Sequence, residues 1–271
     1  MNQSIKISFI GFGHLARALV HGALQANALH PDMLVVTSPS LIQQKIDCPF
    51  KIALTNQDAV SGADVIVLAV KPQQVALVCH EIAEMIECNQ LIVSVATGKT
   101  TAAIIHYLNK TRLSVIRAMP NTAVAVQEGV TALYHNEYVT VAQRDFVHTL
   151  FKATGAVIDV DKEDDIDLIT ALFGSGPAYF LYLQEALETA AVKRGLSIEV
   201  AQLLTKQTMY GTSLLTHNSP VTFQEKRVEV TSMRGTTAAA IAYLESHDFM
   251  QLIDTMIEKA YLRAKELSTS S

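Results

Sequence analysis

The segment Ile7-Ser8-Phe9-Ile10-Gly11-Phe12-Gly13-His14-Leu15-Ala16 sets two glycines and an alanine at GxGxxA spacing. Each small residue answers a physical demand. Gly11 permits a tight turn out of an apolar strand, Gly13 lacks the Cβ that would hold the backbone off a pyrophosphate, and Ala16 lets the next helix pack closely on the strand. That helix N-terminus offers unsatisfied N–H groups and the positive end of a dipole to phosphate oxygens. Short glycine patterns recur by chance. Here the pattern follows an apolar strand and opens a helix, the context in which it binds a dinucleotide; the alternative is a structural glycine turn.

Four more clusters sit where ligands gather. Lys71-Pro72 follows a buried strand at its carboxyl end, where open α/β sheets bind ligands; the plainer reading is a solvated lysine and a turn former. Met119-Pro120-Asn121 follows a later strand on the same side, with an asparagine bonding loop backbone as its alternative. Gly174-Ser175-Gly176-Pro177 interrupts a helical pattern, at a cost of about 1 kcal/mol per glycine and about 3 for proline. Either backbone must approach a cleft there, or the helix kinks for interdomain packing. Gly235-Thr236-Thr237 precedes the apolar run Ala238–Leu244 and caps a helix whose free N–H groups would suit a carboxylate.

No His–Asp or Ser–His–Asp constellation stands out, and His14 reads as a solvent-facing residue at the helix start. The three cysteines, Cys48, Cys79 and Cys88, form no CxxC pair. They read as buried or incidental thiols in a reducing compartment, and no zinc-type spacing calls for a metal. At the end of the second strand an NAD enzyme carries Asp or Glu for the ribose hydroxyls; this chain has Val36-Thr37-Ser38-Pro39-Ser40. The missing acid favours NADPH, with NADH as the alternative. No arginine is adjacent, so hydroxyls such as that of Ser38, and Lys45, would have to hold a 2′-phosphate.

Five apolar runs position these residues: Ile5–Ile10, Leu34–Thr37, Val65–Val70, Leu91–Ala96 and Leu113–Arg117. Each suits a strand buried on both faces of a parallel sheet. Helical stretches alternate with them at Leu15–Asn27, Gln73–Ile86 and Thr101–Tyr107, with a shorter one near Leu41–Lys45. Two further strands, Gly129–Tyr134 and Ala156–Val160, flank the helix Val139–Lys152 and extend the sheet edge. The predicted fold is a doubly wound, mostly parallel α/β Rossmann domain, 1–160, followed by an all-α domain, 161–271. In the helical part, Leu181, Leu183, Ala186, Leu187, Ala190 and Ala191 place apolar surface on more than one side of a helix, which suggests burial against another subunit. The tail Leu267–Ser271 reads as a frayed end.

With 271 residues, 49% of them hydrophobic and 17% charged, one or two globular domains are expected. A net charge of −5 argues against a nucleic-acid partner, which needs a clustered basic face. A strand begins almost at once instead of a signal peptide, and no run of about 18 uncharged apolar residues is evident. The chain is expected in the cytoplasm, with no membrane partner.

Four segments beyond the glycine loop converge on one family: Leu68-Ala69-Val70-Lys71-Pro72-Gln73, Arg117-Ala118-Met119-Pro120-Asn121-Thr122, Thr170 through Tyr179, and Val230 through Thr237. In order and spacing they resemble pyrroline-5-carboxylate reductase, over nearly the whole chain. The resemblance implies a Rossmann domain, an all-helical domain that forms a homodimer (and further assemblies of dimers), and hydride transfer from NAD(P)H to the C=N carbon of 1-pyrroline-5-carboxylate, giving L-proline. It also implies that the cofactor lies along Gly11, Phe12, Gly13, His14, Leu15, Ser38, Ala69, Val70, Lys71 and Pro72. The nicotinamide would sit by Met119, Pro120 and Asn121. Gly235, Thr236, Thr237 and Ser175 would bind the substrate, with Thr237 as the catalytic hydroxyl at the ring nitrogen. Three departures from the family pattern stand out: Met233-Arg234 replaces Pro-Gly, Phe173 replaces serine and Ala240 replaces glycine. A reductase of another cyclic imine, or a non-catalytic cofactor-binding regulator, are the alternative functions.

Overall fold

The computed structural model describes residues 5–44, 48–217 and 219–269. Two compact units divide it: Met1–Ser175 with Ala260–Ser271, and Gly176–Lys259.

The first unit is built on one eight-stranded sheet. In chain order its elements are β1 (Ile7–Ile10), α1 (His14–Gln25), β2 (Leu34–Thr37), α2 (Pro39–Gln44), β3 (Lys51–Ile52), α3 (Asn56–Val60), β4 (Val65–Leu68), α4 (Val75–Ile82), β5 (Leu91–Ser94), α5 (Thr101–Tyr107), β6 (Ser114–Pro120), β7 (Gly129–His135), α6 (Val141–Lys152), β8 (Gly155–Asp159) and α7 (Glu163–Ile169). The spatial order is β3-β2-β1-β4-β5-β6-β7-β8, so the winding reverses between β1 and β4. All pairings are parallel except β6 with β7. Crevices at such a reversal, at the strands' carboxyl ends, are where doubly wound sheets hold ligands.

Every residue of β1, β4 and β5 is buried. Their side chains feed two cores. Ile7, Phe9, Leu19, Val65, Val93 and Phe151 pack on one side, and Ile10, Ile66, Leu68, Ile92, Ile82 and Ile104 on the other. Continuous apolar runs therefore mark strands covered by helices on both faces, as expected.

Several expectations need correction. The short strand β3 and the helix α3 were not foreseen, because Lys51–Ile52 and Asn56–Val60 are too brief to show a period. The expected helix Gln73–Ile86 is α4 flanked by 3₁₀ turns at Pro72–Gln74 and Ala83–Met85. Gln44 ends α2, and Lys45 lies outside the described residues. The tail is not frayed at Leu267 and Ser268: both lie in the helix α12 (Phe249–Thr269), and Ser268 Oγ donates to Asp167 Oδ1 at 2.9 Å.

The second unit contains α8 (Gly176–Lys193), α9 (Ile198–His217), α10 (Phe223–Glu229), α11 (Thr236–Ser246) and the first part of α12. Its helices expose Leu181, Leu187, Leu203, Leu204 and Leu215, each at least half open to solvent in the single chain. Apolar surface on that scale marks an interaction face. Within Glu163–Lys193 an 18-residue window with mean hydropathy 1.3 makes this run long and apolar enough, by length and composition only, to cross a membrane. That corrects the expectation that no such run exists: no charge separates Asp167 from Glu185.

Candidate active site

The glycine loop is wedged between two strand ends. Gly11 N–H donates to the Thr37 carbonyl at 2.9 Å, and Ala69 N–H donates to the Ile10 carbonyl at 2.8 Å. Gly11 has φ +96°, and a Cβ there would lie 2.5 Å from the Ala69 oxygen and 3.0 Å from Val70 Cγ1. Gly13 is the reverse case: nothing lies within 4 Å of a Cβ built on it. It is the N-cap of α1, without a side-chain cap and without an acidic residue in the first turn. Helix N–H groups and dipole thus face open space, a setting that fits a pyrophosphate. Ala16 is 1% exposed, as close helix–strand packing requires.

The neighbouring loop residues have distinct roles. Phe12 is buried edge-on against Phe50, with ring centroids 5.6 Å apart, so only its backbone faces the loop. His14 is exposed and Leu15 half-buried. Arg17, which the sequence reading missed, donates through Nε to the Phe12 carbonyl at 3.2 Å and lies 5.5 Å from the Phe12 ring centre. It adds positive charge beside the open helix end, and it is visible in sequence only as a basic residue in the first turn.

A cleft of about 460 Å³ opens between β1, β2 and β4, lined by Gly11, Thr37, Pro39, Asn56, Val70 and Leu77 among others. Its mixture of apolar and amide groups fits an adenosine. Asn56 donates to Glu81 Oε2 at 2.6 Å, and both line the cleft; neither was foreseen. Ser38 is 6% exposed, its hydroxyl 3.0 Å from that of Ser40. Among the described residues no lysine or arginine lines this cleft. Ala69 and Val70 are half-buried beside Gly11, while Lys71 is exposed and caps the 3₁₀ turn that begins at Pro72.

Further along the sheet, Met119 and Pro120 are the last residues of β6, paired with Ala132 and Thr131, and not a turn beyond it. Asn121 bonds backbone on three sides. Its Oδ1 accepts from Ala123 N at 3.2 Å and Val130 N at 3.4 Å, and its Nδ2 donates to the Phe173 carbonyl at 3.4 Å. The glycine-containing break is a π-helical turn, Thr170–Gly174, in which Ser175 N–H donates to the Thr170 carbonyl at 2.9 Å. A Cβ on Gly174 would lie 2.5 Å from the Met119 methyl carbon. The break therefore seats Met119. Gly11 to Leu15, Ser38, Ala69 to Pro72 and Met119 to Asn121 all gather at the carboxyl ends of β1, β2, β4 and β6.

Gly235, Thr236 and Thr237 belong to the second unit. Gly235 is the N-cap of α11, and no side chain caps this helix. Thr236 and Thr237 lie inside its first turn, so the capping role open to Thr237 is not the one it fills. Thr237 is half-buried, and no acidic residue stands in the first turn. Just before it, Arg234 is held at φ +60° and Met233 is 95% exposed. Among the described residues no group of three or more His, Cys, Asp and Glu side chains is placed to hold a metal ion.

Residues 163–267 match the family model for pyrroline-5-carboxylate reductase dimerisation, and residues 6–98 match one for NADP oxidoreductase, coenzyme F420-dependent. The chain is 39% identical to the pyrroline-5-carboxylate reductase of Pseudomonas aeruginosa and 34% identical to that of Vibrio alginolyticus, covering 97% of both chains in each case. A solved structure of a pyrroline-5-carboxylate reductase from Coxiella burnetii is similar at TM-score 0.89 and 39% identity, over 99% of this chain and all of that one. A Plasmodium falciparum pyrroline carboxylate reductase with NADP bound superposes at TM-score 0.89, with 28% identity, over 98% of this chain and 99% of that one. By sequence and by fold, the chain belongs to the pyrroline-5-carboxylate reductase family.

Proposed function

We propose that this protein reduces 1-pyrroline-5-carboxylate to L-proline with NADPH as hydride donor, NADH serving as the alternative. The observation that carries the reading is the uncapped α1 N-terminus behind Gly11 and Gly13, in a chain related over 97% of its length to enzymes of that name. Gly11 to Leu15 hold the pyrophosphate and Ser38 the adenosine ribose. Ala69 to Pro72 and Met119 to Asn121 line the nicotinamide half. Held by these residues, the dinucleotide would supply a hydride for the C=N carbon, and the ring nitrogen would take one proton.

Little acid–base machinery is required. A protonated imine already accepts hydride well, so the protein needs to align the reactants, exclude water and fix the carboxylate. The α11 N–H groups at Gly235 and Thr236 take the carboxylate, with Ser175 as a further contact. The Thr237 hydroxyl, which caps nothing, is assigned to the ring nitrogen. Residues 1–160 are assigned to dinucleotide binding and 161–271 to dimer formation and substrate contacts. Supporting this are the dimerisation match over 163–267 and the exposed leucines of α8 and α9. The same match supports reading the apolar run within Glu163–Lys193 as a subunit face. A cytoplasmic location fits Cys79 and Cys88, neither of which is paired.

The test is to mix purified protein, NADPH and pyrroline-5-carboxylate and follow loss of reduced-nicotinamide absorbance. Turnover, with rescue of a proline-requiring strain, is expected. NADPH binding without turnover would refute the reading.

A further inference from the structure

Arg117 is the largest fully buried side chain among the described residues, 2% exposed in the middle of β6. Its Nη2 donates to Asp167 Oδ1 at 2.5 Å and its Nη1 lies 3.7 Å from Glu163 Oε1. Both carboxylates have further partners. Glu163 accepts from Thr101 N–H at 2.7 Å and Thr101 Oγ1 at 2.9 Å, and Asp167 accepts from Ser268 Oγ at 2.9 Å. The residue before Ser268, Leu267, backs the turn at Thr97–Gly98 after β5: a Cβ on Gly98 would lie 2.8 Å from the Leu267 carbonyl carbon.

Two chain segments leave this cluster toward the nicotinamide half of the site. Met119 follows Arg117 by two residues along β6, and the π turn begins three residues after Asp167. They meet again where the Met119 methyl faces Gly174 and Asn121 bonds the Phe173 carbonyl. A charge cluster at one end and a methyl seat at the other set the register of strand end against turn. Buried ion pairs add little net stability, and in some proteins they are kept for the geometry they fix.

We infer that the Arg117–Asp167–Glu163 cluster, closed by the C-terminal turn at Leu267 and Ser268, is a positioning element of the reductase site: it holds Met119–Asn121 in register with Phe173–Ser175. The inference rests on the proposed placement of Met119 and Asn121 beside the nicotinamide.

Removing Arg117 would strand the buried Asp167 carboxylate beside the half-buried Glu163 and can stop the chain from folding, so milder variants carry the test. These are Asp167→Asn, Ser268→Ala and a chain ending at Glu266, each assayed well below its unfolding midpoint. For Asp167→Asn and the shortened chain, kcat should fall about 10- to 100-fold, the range that misplacement of reacting groups produces. Ser268→Ala should lie between them and wild type. The Kd for NADPH should stay within about twofold in all three, because the Gly11–Leu15 loop does not touch the cluster. The fluorescence enhancement of bound NADPH reads nicotinamide immobilisation without turnover, and it should drop in the same order. Unchanged kcat and unchanged enhancement, with only a lower midpoint, would reduce the cluster to a structural role and overturn the inference. An inactive wild type would overturn the proposed function instead, and the enhancement would still decide this point.

Discussion

Adding one methyl group at Gly11 and, separately, at Gly13 should produce two different failures. At Gly11 the added Cβ would meet the Ala69 carbonyl oxygen at 2.5 Å and carbon at 2.8 Å. These are backbone atoms, pinned by the Ala69–Ile10 and Gly11–Thr37 hydrogen bonds. Holding alanine at φ +96° costs about 1–2 kcal/mol, and overpacking adds about 1–3. The total of about 2–5 kcal/mol is a large share of a stability of about 5–15, and it corresponds to a fall in Tm of about 5–20 °C. At Gly13 nothing is close enough to clash. Exchanging a glycine N-cap for alanine costs about 1 kcal/mol or less, a few degrees at most. Its Cβ would instead occupy space that the pyrophosphate needs, raising the NADPH Kd at least about tenfold, or about 1.4 kcal/mol. Thermal unfolding with and without NADPH, together with titration calorimetry, separates the two. If Gly13→Ala binds NADPH like wild type, or if both variants melt together, the division between a packing glycine and a ligand-facing glycine is wrong.

Thr237→Ala should depress kcat well beyond any change in NADPH affinity, and an unchanged rate would remove the hydroxyl from the mechanism. Arg234 is held at φ +60°, so Arg234→Gly should relieve about 1 kcal/mol of backbone strain and raise the melting temperature slightly. A lower Tm would show that the arginine side chain matters more than its backbone. Burial pushes the Cys79 thiol from 9.0 up to about 12. The unfolded thiol therefore ionises first. Stability from this group is complete below about pH 9 and is lost as pH rises toward about 12, by up to roughly 4 kcal/mol. Denaturant midpoints along this alkaline limb should fall less steeply in Cys79→Ala, and parallel curves for the two proteins would contradict the assignment.

The parts of the molecule legible in sequence are those whose constraints are local. A turn that needs φ +96° beside a strand carbonyl selects glycine at one position. A strand covered on both faces selects an uninterrupted apolar run, which is why β1, β4 and β5 stood out. β3 and α3 escaped because two and five residues carry no readable period. Asn56 and Glu81 escaped for a different reason: they become neighbours only when β4 brings α3 and α4 side by side, and nothing in either segment announces a partner.

Arg117 is the sharpest case. In sequence it is the last residue of the apolar run Leu113–Arg117, with nothing in that run to supply a partner for its charge. In the fold it is buried, because β6 continues to Pro120 and places it mid-strand. Burying that charge is tolerable only with carboxylates supplied from α7, 50 residues away for Asp167, and Asp167 is in turn held by Ser268, another 101 residues on. No window of sequence contains this arrangement. The same contacts hold the end of α12 in place: Leu267 and Ser268 complete the shell of a charge that the sheet could not otherwise accommodate. The cofactor end of the site is thus written in a short motif, whereas the register of its nicotinamide end depends on contacts drawn from almost the full length of the chain.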